Sequence, residues 1–432
     1  MKFEVQPGGA LQGKVRVPGD KSISHRSIML GALAEGVTEV TGFLEGEDSL
    51  ATLRAFRAMG VQIEGPEQGR VTIQGVGMHG LKAPSAPLDL GNSGTSMRLM
   101  AGLLAGQSFD AELTGDHSLS GRPMGRVIDP LKTMGAEIDS REGGKAPLKI
   151  HGGAALNAIT YTLPMASAQV KSCVLLAGLY ADGTTCVTEP APTRDHTERM
   201  LGGFGYAVER NGATACVTGG GALKATNIDV PADISSAAFF LVGASIAKNS
   251  ALLLEHVGMN PTRTGVIDIL KRMGADITIE NAREVGGEPV ADLRVRSAQL
   301  KGIQIPEELV PLAIDEFPAI FVAAANAEGE TVLTGAEELR VKESDRIQVM
   351  ADGLQALGVD AQPTPDGMVI RGGSYGGGAV ESHGDHRIAM SFAMAALCAT
   401  GPIEIRDCAN VATSFPGFVA LTQSLGLQIQ QV

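Results

Sequence analysis

The sequence predicts an α/β protein of two similar domains, each built from three repeated α/β units. Three observations carry this reading. Six helical segments each end in a bulky apolar residue, a glycine and a short strand; six other runs are apolar nearly all round; and the two kinds alternate along the 432 residues. The first kind comprises LRAFRAMGVQI, LKTMGAEI, LGGFGYAV, LKRMGADITI, LQALGVDAQ and LTQSLGLQIQ. Its glycines, Gly60, Gly135, Gly205, Gly274, Gly358 and Gly426, are 75, 70, 69, 84 and 68 residues apart. Glycine there suits the left-handed residue that closes a helix.

The second kind comprises DKSISHRSIMLGALAEG, GNSGTSMRLMAGLLAG, SAQVKSCVLLAGLYADG, DISSAAFFLVGASIAKN, DEFPAIFVAAANAEG and GDHRIAMSFAMAALCATG. Rich in Ala, Gly and Ser and apolar on every face, these runs predict helices packed closely in the interior. Units of about 70 residues, three to a domain, give domains of about 210 residues, within the ordinary range. The expected boundaries are an inserted domain, 20–230, and a discontinuous one, 1–19 plus 231–432. The opening MKFEVQPGGALQGKVRV reads as strand with a glycine turn and is expected to cross over to the later half.

Net charge is −13, and the chain has four Tyr and no Trp. This argues against a nucleic-acid or anionic-membrane partner, which needs basic stripes and, for single strands, stacking aromatics. The longest apolar stretches, such as AAFFLVGASIA from Ala237, fall short of the roughly 18 residues of a membrane span, and the N-terminus lacks the apolar core of a secretory signal. A cytoplasmic enzyme is therefore expected. Cys173, Cys186, Cys216, Cys398 and Cys408 form no CxxC pair and are expected to be reduced thiols inside cores.

Helices this apolar rarely open on charge, yet these begin with Asp20-Lys21-Ser22, Asn92-Ser93, Ser167-Ala168-Gln169, Asp233-Ile234-Ser235-Ser236, Asp315-Glu316 and Asp385-His386-Arg387. Capping accounts for the Asp, Asn and Ser residues, including Asp233, Ser235 and Ser236, because their oxygens accept from orphan N–H groups of the first turn. It does not account for Lys21, Arg26, Arg98 or Arg387, cations that oppose the helix dipole and so suggest anionic ligands. The stretch GNSGTSMR from Gly91 fits an anion cradle at a helix start, but the chain has no nucleotide-triphosphate loop of the form G-x-x-x-x-G-K-[ST].

Other polar clusters admit two readings each. ELRVKESDRIQVM is either a solvated helix entrance capped by Ser344 or Asp345, or an acid–base pair tuned by adjacent Lys and Glu. HGDHR, from His383 to Arg387, lacks the further ligands a zinc site wants, and no G-x-S-x-G elbow exists for a hydrolase; an anion-contacting Arg beside a proton-shuttling His fits better. TRDHTERM, from Thr193, reads as a solvated helix start. The glycine-rich RGGSYGGG, from Arg371, reads as a hairpin turn.

PGDKSISHR (18–26), GNSGTSMR (91–98), GRPM (121–124), RVKESDR (340–346) and GDHR (384–387), in this order and spacing, resemble the enolpyruvyl transferases over essentially the whole chain. The resemblance implies two domains of three units, with buried parallel helices and surface sheets in an inside-out α/β barrel, two crossovers, and an active site in the cleft between them. It implies transfer of the enolpyruvyl group of phosphoenolpyruvate to the 5-hydroxyl of shikimate 3-phosphate, with release of phosphate, by addition and elimination through a tetrahedral intermediate. No cofactor or metal, small-molecule substrates alone, and a monomer go with it.

By the same resemblance, Lys21, Gly94, Arg122, Gln169, Arg346 and Arg387 would hold phosphoenolpyruvate. Lys21, Ser22, Arg26, Ser167, Ala168, Gln169, Arg194, Asp315 and Lys342 would hold shikimate 3-phosphate. Asp315 matches the family's base, Glu343 and Lys21 match groups that move the remaining protons, and Lys342 would neutralise charge beside them. Thr413-Ser414 stands where many members carry Lys, Ser167-Ala168-Gln169 replaces a common Ser-Ser-Gln, and Glu338 stands for an Asn, features that look like the family's second class. An alternative acceptor, UDP-N-acetylglucosamine, is served in the family by a loop cysteine, and GDHSLSGRPMG (115–125) has none. A non-catalytic anion-binding scaffold is the other alternative.

Overall fold

The computed structural model describes residues 1–432 and divides into two compact units, Gly19–Val230 and Met1–Pro18 with Pro231–Val432. The first crossing thus falls one residue before that read from the sequence.

In the unit Gly19–Val230 the three apolar runs form helices Lys21–Leu33, Gly94–Ala105 and Ala168–Gly178, buried beyond their first turns except at half-buried Arg98. The polar residues at their starts do cap: Asp20 Oδ1 accepts from Ile23 N at 2.9 Å, Ser93 Oγ from Ser96 N at 3.1 Å and Ser167 Oγ from Val170 N at 3.3 Å. Small residues set how closely these helices approach. A Cβ on Gly102 would lie 2.1 Å from the carbonyl oxygen of Cys173, so no other residue fits there without moving a helix.

Each helix lies against its own sheet, and the sheets share one plan: a strand that joins in parallel at one edge, a first strand, then the far and near arms of a hairpin. In the second repeat this order is Leu88–Asp89, Ala111–Thr114, Lys145–His151, Glu137–Arg141; in the third it is Thr160–Thr162, Thr184–Thr188, Thr214–Thr218, Glu209–Asn211. In the first repeat the edge is supplied by Leu223–Lys224 and Ile228–Asp229 from the end of the unit, paired in parallel with Ala34–Thr41.

The other unit repeats the plan around helices Ile234–Ile246, Phe317–Ala325 and His386–Ala395. Its first edge is Gln12–Val15, parallel to Ala251–Gly258. Its last sheet is completed by Lys2–Val5, which pairs antiparallel with both Ile403–Arg406 and Ile429–Gln431. The sixth repeat therefore has no hairpin of its own: the N-terminal strand takes the place of the hairpin's far arm. The six repeat glycines all hold positive φ, between 78° and 115°, as a helix-closing left-handed residue requires.

Two expectations are corrected here. RGGSYGGG is no hairpin: Gly367–Arg371 and Gly378–Glu381 belong to different sheets, and the segment between them is a connection. It is fastened by buried Tyr375, whose hydroxyl donates to the Ala395 carbonyl at 2.8 Å, and a Cβ on Gly372 would lie 1.8 Å from the Ala327 carbonyl oxygen. Nor are all five cysteines thiols. Cys186 and Cys216 face each other directly across strands Thr184–Thr188 and Thr214–Thr218, and the structure joins them as a disulfide. No helix is long and apolar enough to cross a membrane.

Candidate active site

In the unit Gly19–Val230 the expected binding residues gather at the N-terminal ends of the three core helices. Lys21 Nζ lies 3.2 Å from Asp48 Oδ2, and both side chains are mostly buried, so the cation is held in a fixed position by countercharge. Arg26 points one turn further on. Its Nη1 donates to the Ser22 carbonyl at 3.0 Å, Nε to Thr197 Oγ1 at 2.7 Å and Nη2 to Ser172 Oγ at 2.8 Å.

Between these cations lies buried His25, whose ring nitrogen Nδ1 is 2.8 Å from Thr52 Oγ1, itself 2.6 Å from Ser96 Oγ. Burial, and then the charges of Lys21 and Arg26, hold the His25 imidazole well below its usual pKa. The ring is therefore neutral, and adds no third positive charge to the pair.

At the second helix, Gly94 is the first helical residue after Ser93, and Gly91 before it takes a positive φ. The absence of a side chain on Gly94 leaves room for Arg122, whose Nη1 would stand 3.1 Å from an added Cβ. Arg122 is aimed by Asn92 Oδ1 at 2.6 Å and Ser118 Oγ at 3.3 Å, and Asn92 is in turn held by Asp116 Oδ2 at 2.8 Å. Gln169, on the third helix, accepts from Arg98 Nη1 and donates to Thr95 Oγ1 at 3.0 Å, tying the second and third helix starts together. Ser167 and Ala168 form the cap and first residue of that third helix. TRDHTERM is not a solvated helix start: Asp195, His196, Thr197 and Glu198 are all buried.

In the other unit the residues of RVKESDR converge on one guanidinium. Arg346 is fully buried; its Nε donates to Asp385 Oδ2 at 2.8 Å, its Nη2 to Glu343 Oε2 at 2.8 Å and its Nη1 to Asp315 Oδ1 at 3.2 Å. Burial alone would lower its pKa, but Asp385, Glu343 and Asp315 more than offset that and raise it, so the charge is permanent. Lys342 Nζ lies 3.8 Å from Asp315 Oδ1 and 3.5 Å from Glu338 Oε1. Asp345 caps the following helix by accepting from Gln348 N at 3.0 Å, so the capping reading of this segment holds at Asp345.

Asp385 is also the cap of helix His386–Ala395, accepting from Arg387 N at 3.0 Å, and it accepts from Ser344 Oγ at 2.9 Å. Arg387 is nine-tenths buried, yet no hydrogen bond or ion pair engages its guanidinium. A buried cation without a protein partner is costly unless a ligand supplies the countercharge. No cluster of three or more metal-ligating side chains accompanies these residues.

The chain matches the family described as EPSP synthase (3-phosphoshikimate 1-carboxyvinyltransferase) over residues 5–421. The chain belongs to this family. The EPSP synthase relatives include proteins named 3-phosphoshikimate 1-carboxyvinyltransferase from Methylococcus capsulatus, 72% identical and covering 99% of this chain and 98% of that one, and from Alkalilimnicola ehrlichii, 73% identical, covering 99% and 96%. Among solved structures, an EPSP synthase from Acinetobacter baumannii, 62% identical, superposes with a TM-score of 0.90 and full coverage of both chains. Such a match fixes the inside-out α/β architecture of the EPSP synthase family as this chain's fold.

Sequence reasoning took Asn92 and Asp385 only as helix-opening residues and missed the aiming role of all five residues that hold these cations. Asp48, Asn92, Ser172, Thr197 and Asp385 are each hydrogen-bonded or ion-paired to an expected site cation. For Ser172 the only available signal was a polar residue inside an apolar helix, and that signal is equally satisfied by a residue bonding its own backbone. In the unit Pro231–Val432, Asp233 caps Ser235 N at 2.8 Å as expected, but it also pairs with buried Arg263 at 2.9 Å, and Ser235 donates to buried Glu316.

Proposed function

We propose that this chain transfers the enolpyruvyl group of phosphoenolpyruvate to the 5-hydroxyl of shikimate 3-phosphate, and that the two sets of residues described above act on this one substrate pair. The observation that carries the residue assignment is the ion-paired cluster in which Arg346 joins Asp315 and Glu343 while Lys342 stands beside Asp315. A base, a proton donor and the cations that hold anionic substrates are thus supplied by one short segment and its neighbours.

In the reading this supports, Asp315 takes the proton of the 5-hydroxyl as its oxygen attacks C2 of phosphoenolpyruvate. A proton is delivered to the C3 methylene carbon by Glu343 or Lys21, giving a tetrahedral intermediate. The group that gave C3 its proton then takes a C3 proton back as phosphate departs with its electron pair, breaking the C–O bond and restoring the enol ether. Lys21, Arg122, Arg346 and Arg387 hold the phosphate and carboxylate of phosphoenolpyruvate, with Gly94 leaving space and Gln169 between the substrates. Ser22, Arg26, Ser167, Ala168, Arg194 and Lys342 hold the acceptor. Guanidinium groups suit both anions because their paired N–H donors match carboxylate and phosphate geometry.

The UDP-N-acetylglucosamine reading is disfavoured by the thiols. Segment 115–125 carries none; Cys173 lies in a core helix, Cys398 in the turn after helix His386–Ala395 and Cys408 just after strand Ile403–Arg406. The test is phosphate release from phosphoenolpyruvate in EDTA with each acceptor in parallel. Release with shikimate 3-phosphate alone is expected; release with neither would favour the scaffold reading. Action as a cytoplasmic monomer belongs to the same proposal, and a solution mass well above 44.6 kDa would overturn it.

A further inference from the structure

We propose that Lys171 is a positioning residue for the acceptor's phosphate, acting through the segment that carries Arg194. This rests on the reading that Arg194 meets the phosphate of shikimate 3-phosphate. Lys171 is the fourth residue of helix Ala168–Gly178, and its side chain is 1% exposed. An ammonium is buried that deeply only against countercharge. Here it has two partners: Glu189 Oε1 at 3.1 Å and Glu198 Oε1 at 2.8 Å.

Those two carboxylates bracket the segment that matters. Glu189 directly follows strand Thr184–Thr188, and Glu198 lies in the first turn of helix His196–Gly203. One ammonium thus clamps both ends of 189–198, with Arg194 near the middle. The other oxygen of Glu189 accepts from Thr193 Oγ1, next to Arg194. On the opposite side, buried Asp195 pairs with Arg199 at 2.9 Å and Arg210 at 2.7 Å. Pro190 and Pro192 restrict the span further by fixing φ. Both neighbours of Arg194 are therefore pinned, and one of the pins leads back to Lys171.

The same helix pair carries a second rung one residue on. Ser172 and Thr197, the neighbours of Lys171 and Glu198, hydrogen-bond each other at 2.8 Å and both hold Arg26. A buried ion pair is often no more stabilising than apolar residues of equal volume, so stability is a weak reason for placing three charges here. Fixing the spacing between helix Ala168–Gly178, which holds Arg26 through Ser172, and the segment that carries Arg194 is a better reason.

The test compares Lys171→Met, Arg194→Ala, Thr193→Val and the double variant Lys171→Met/Arg194→Ala in steady-state assays, with thermal unfolding alongside. Expected for Lys171→Met is a KM for shikimate 3-phosphate raised about 10-fold, with KM for phosphoenolpyruvate within about 2-fold. Arg194→Ala should cost less in the Lys171→Met background than in the parent, because the lysine acts through that arginine. A folded Lys171→Met with unchanged acceptor KM, with both KM values raised alike, or with full additivity overturns the proposal. If Lys171→Met does not fold, Thr193→Val decides: a raised acceptor KM at unchanged Tm supports the tether, and an unchanged KM overturns it. Arg194→Ala with unchanged acceptor KM sinks the phosphate reading and this proposal with it, whereas a raised value beside an inert Lys171→Met sinks this proposal alone.

Discussion

Arg346 Nε and Asp385 Oδ2, 2.8 Å apart and both wholly out of solvent, join the start of one helix to the cap of another. Removing one partner of such a pair leaves a buried charge uncompensated, at a cost of about 3–5 kcal/mol. Asp385→Asn keeps the shape but weakens both the cap and the grip on Arg346, which also holds Asp315 and Glu343. The expected result is a stability loss of several kcal/mol in denaturant titration, together with a fall in kcat/KM for phosphoenolpyruvate of about 100-fold. Asp360→Asn, which breaks an exposed pair with Arg371, should leave the unfolding midpoint essentially unchanged. Equal effects from the two substitutions would sink the assignment.

His25 makes a pH prediction. Its folded pKa lies well below 6.5 because burial and then Lys21 and Arg26 oppose its charging. The unfolded chain therefore binds a proton that the folded protein does not once the pH drops below about 6.5. Stability due to this group is intact above that value and is lost as pH falls toward the folded pKa, at up to about 1.4 kcal/mol per pH unit. Unfolding free energies for the parent and His25→Gln at about pH 7.5 and about pH 5.5 test this; the variant should lose less on acidification. Identical losses would remove His25 as the cause.

How much of this was legible in the sequence follows from what each feature depends on. The six repeat glycines and the caps Asp20, Ser93, Ser167, Asp233 and Asp385 depend on local backbone geometry, so their residue types announce them. The place of Lys2–Val5 in the last sheet depends on a partner some 400 residues away. The burial of Asp195 to Glu198 was misread because, although Arg199 is local, the other cations that satisfy them, Lys171 and Arg210, lie in elements outside that segment. The site residues came largely from family resemblance, whereas the groups that aim them emerged only from distances.

The thiol chemistry follows from burial and pairing. Cys173 and Cys408 are pushed up to about 12 and Cys398 to about 11 by burial, so none is a thiolate at neutral pH. Cys186 and Cys216 are joined, and both are only half-buried. A chromogenic thiol reagent should find no rapidly reacting group on the native, unreduced protein and two after mild reduction. A rapid thiol before reduction would contradict either the pairing or the burial of the other three.

Gly94 offers the sharpest separation between the two substrates. An added Cβ would stand 3.1 Å from Arg122 Nη1 and 3.4 Å from Arg98 Nη1, and both contacts are the ends of flexible side chains rather than backbone. The fold can absorb Gly94→Ala by moving a guanidinium a few tenths of an ångström, so Tm should stay within a few degrees of the parent. Arg122, however, is aimed by Asn92 at 2.6 Å, and a shift there misplaces a donor meant for phosphoenolpyruvate. A KM for phosphoenolpyruvate raised about 10-fold is expected, with KM for shikimate 3-phosphate little changed. Asn92→Ala releases Arg122 by a different route and should move the same constant in the same direction. If Gly94→Ala instead raises the acceptor KM, or leaves both unchanged while Asn92→Ala acts, Arg122 does not reach the donor substrate through the space that Gly94 leaves.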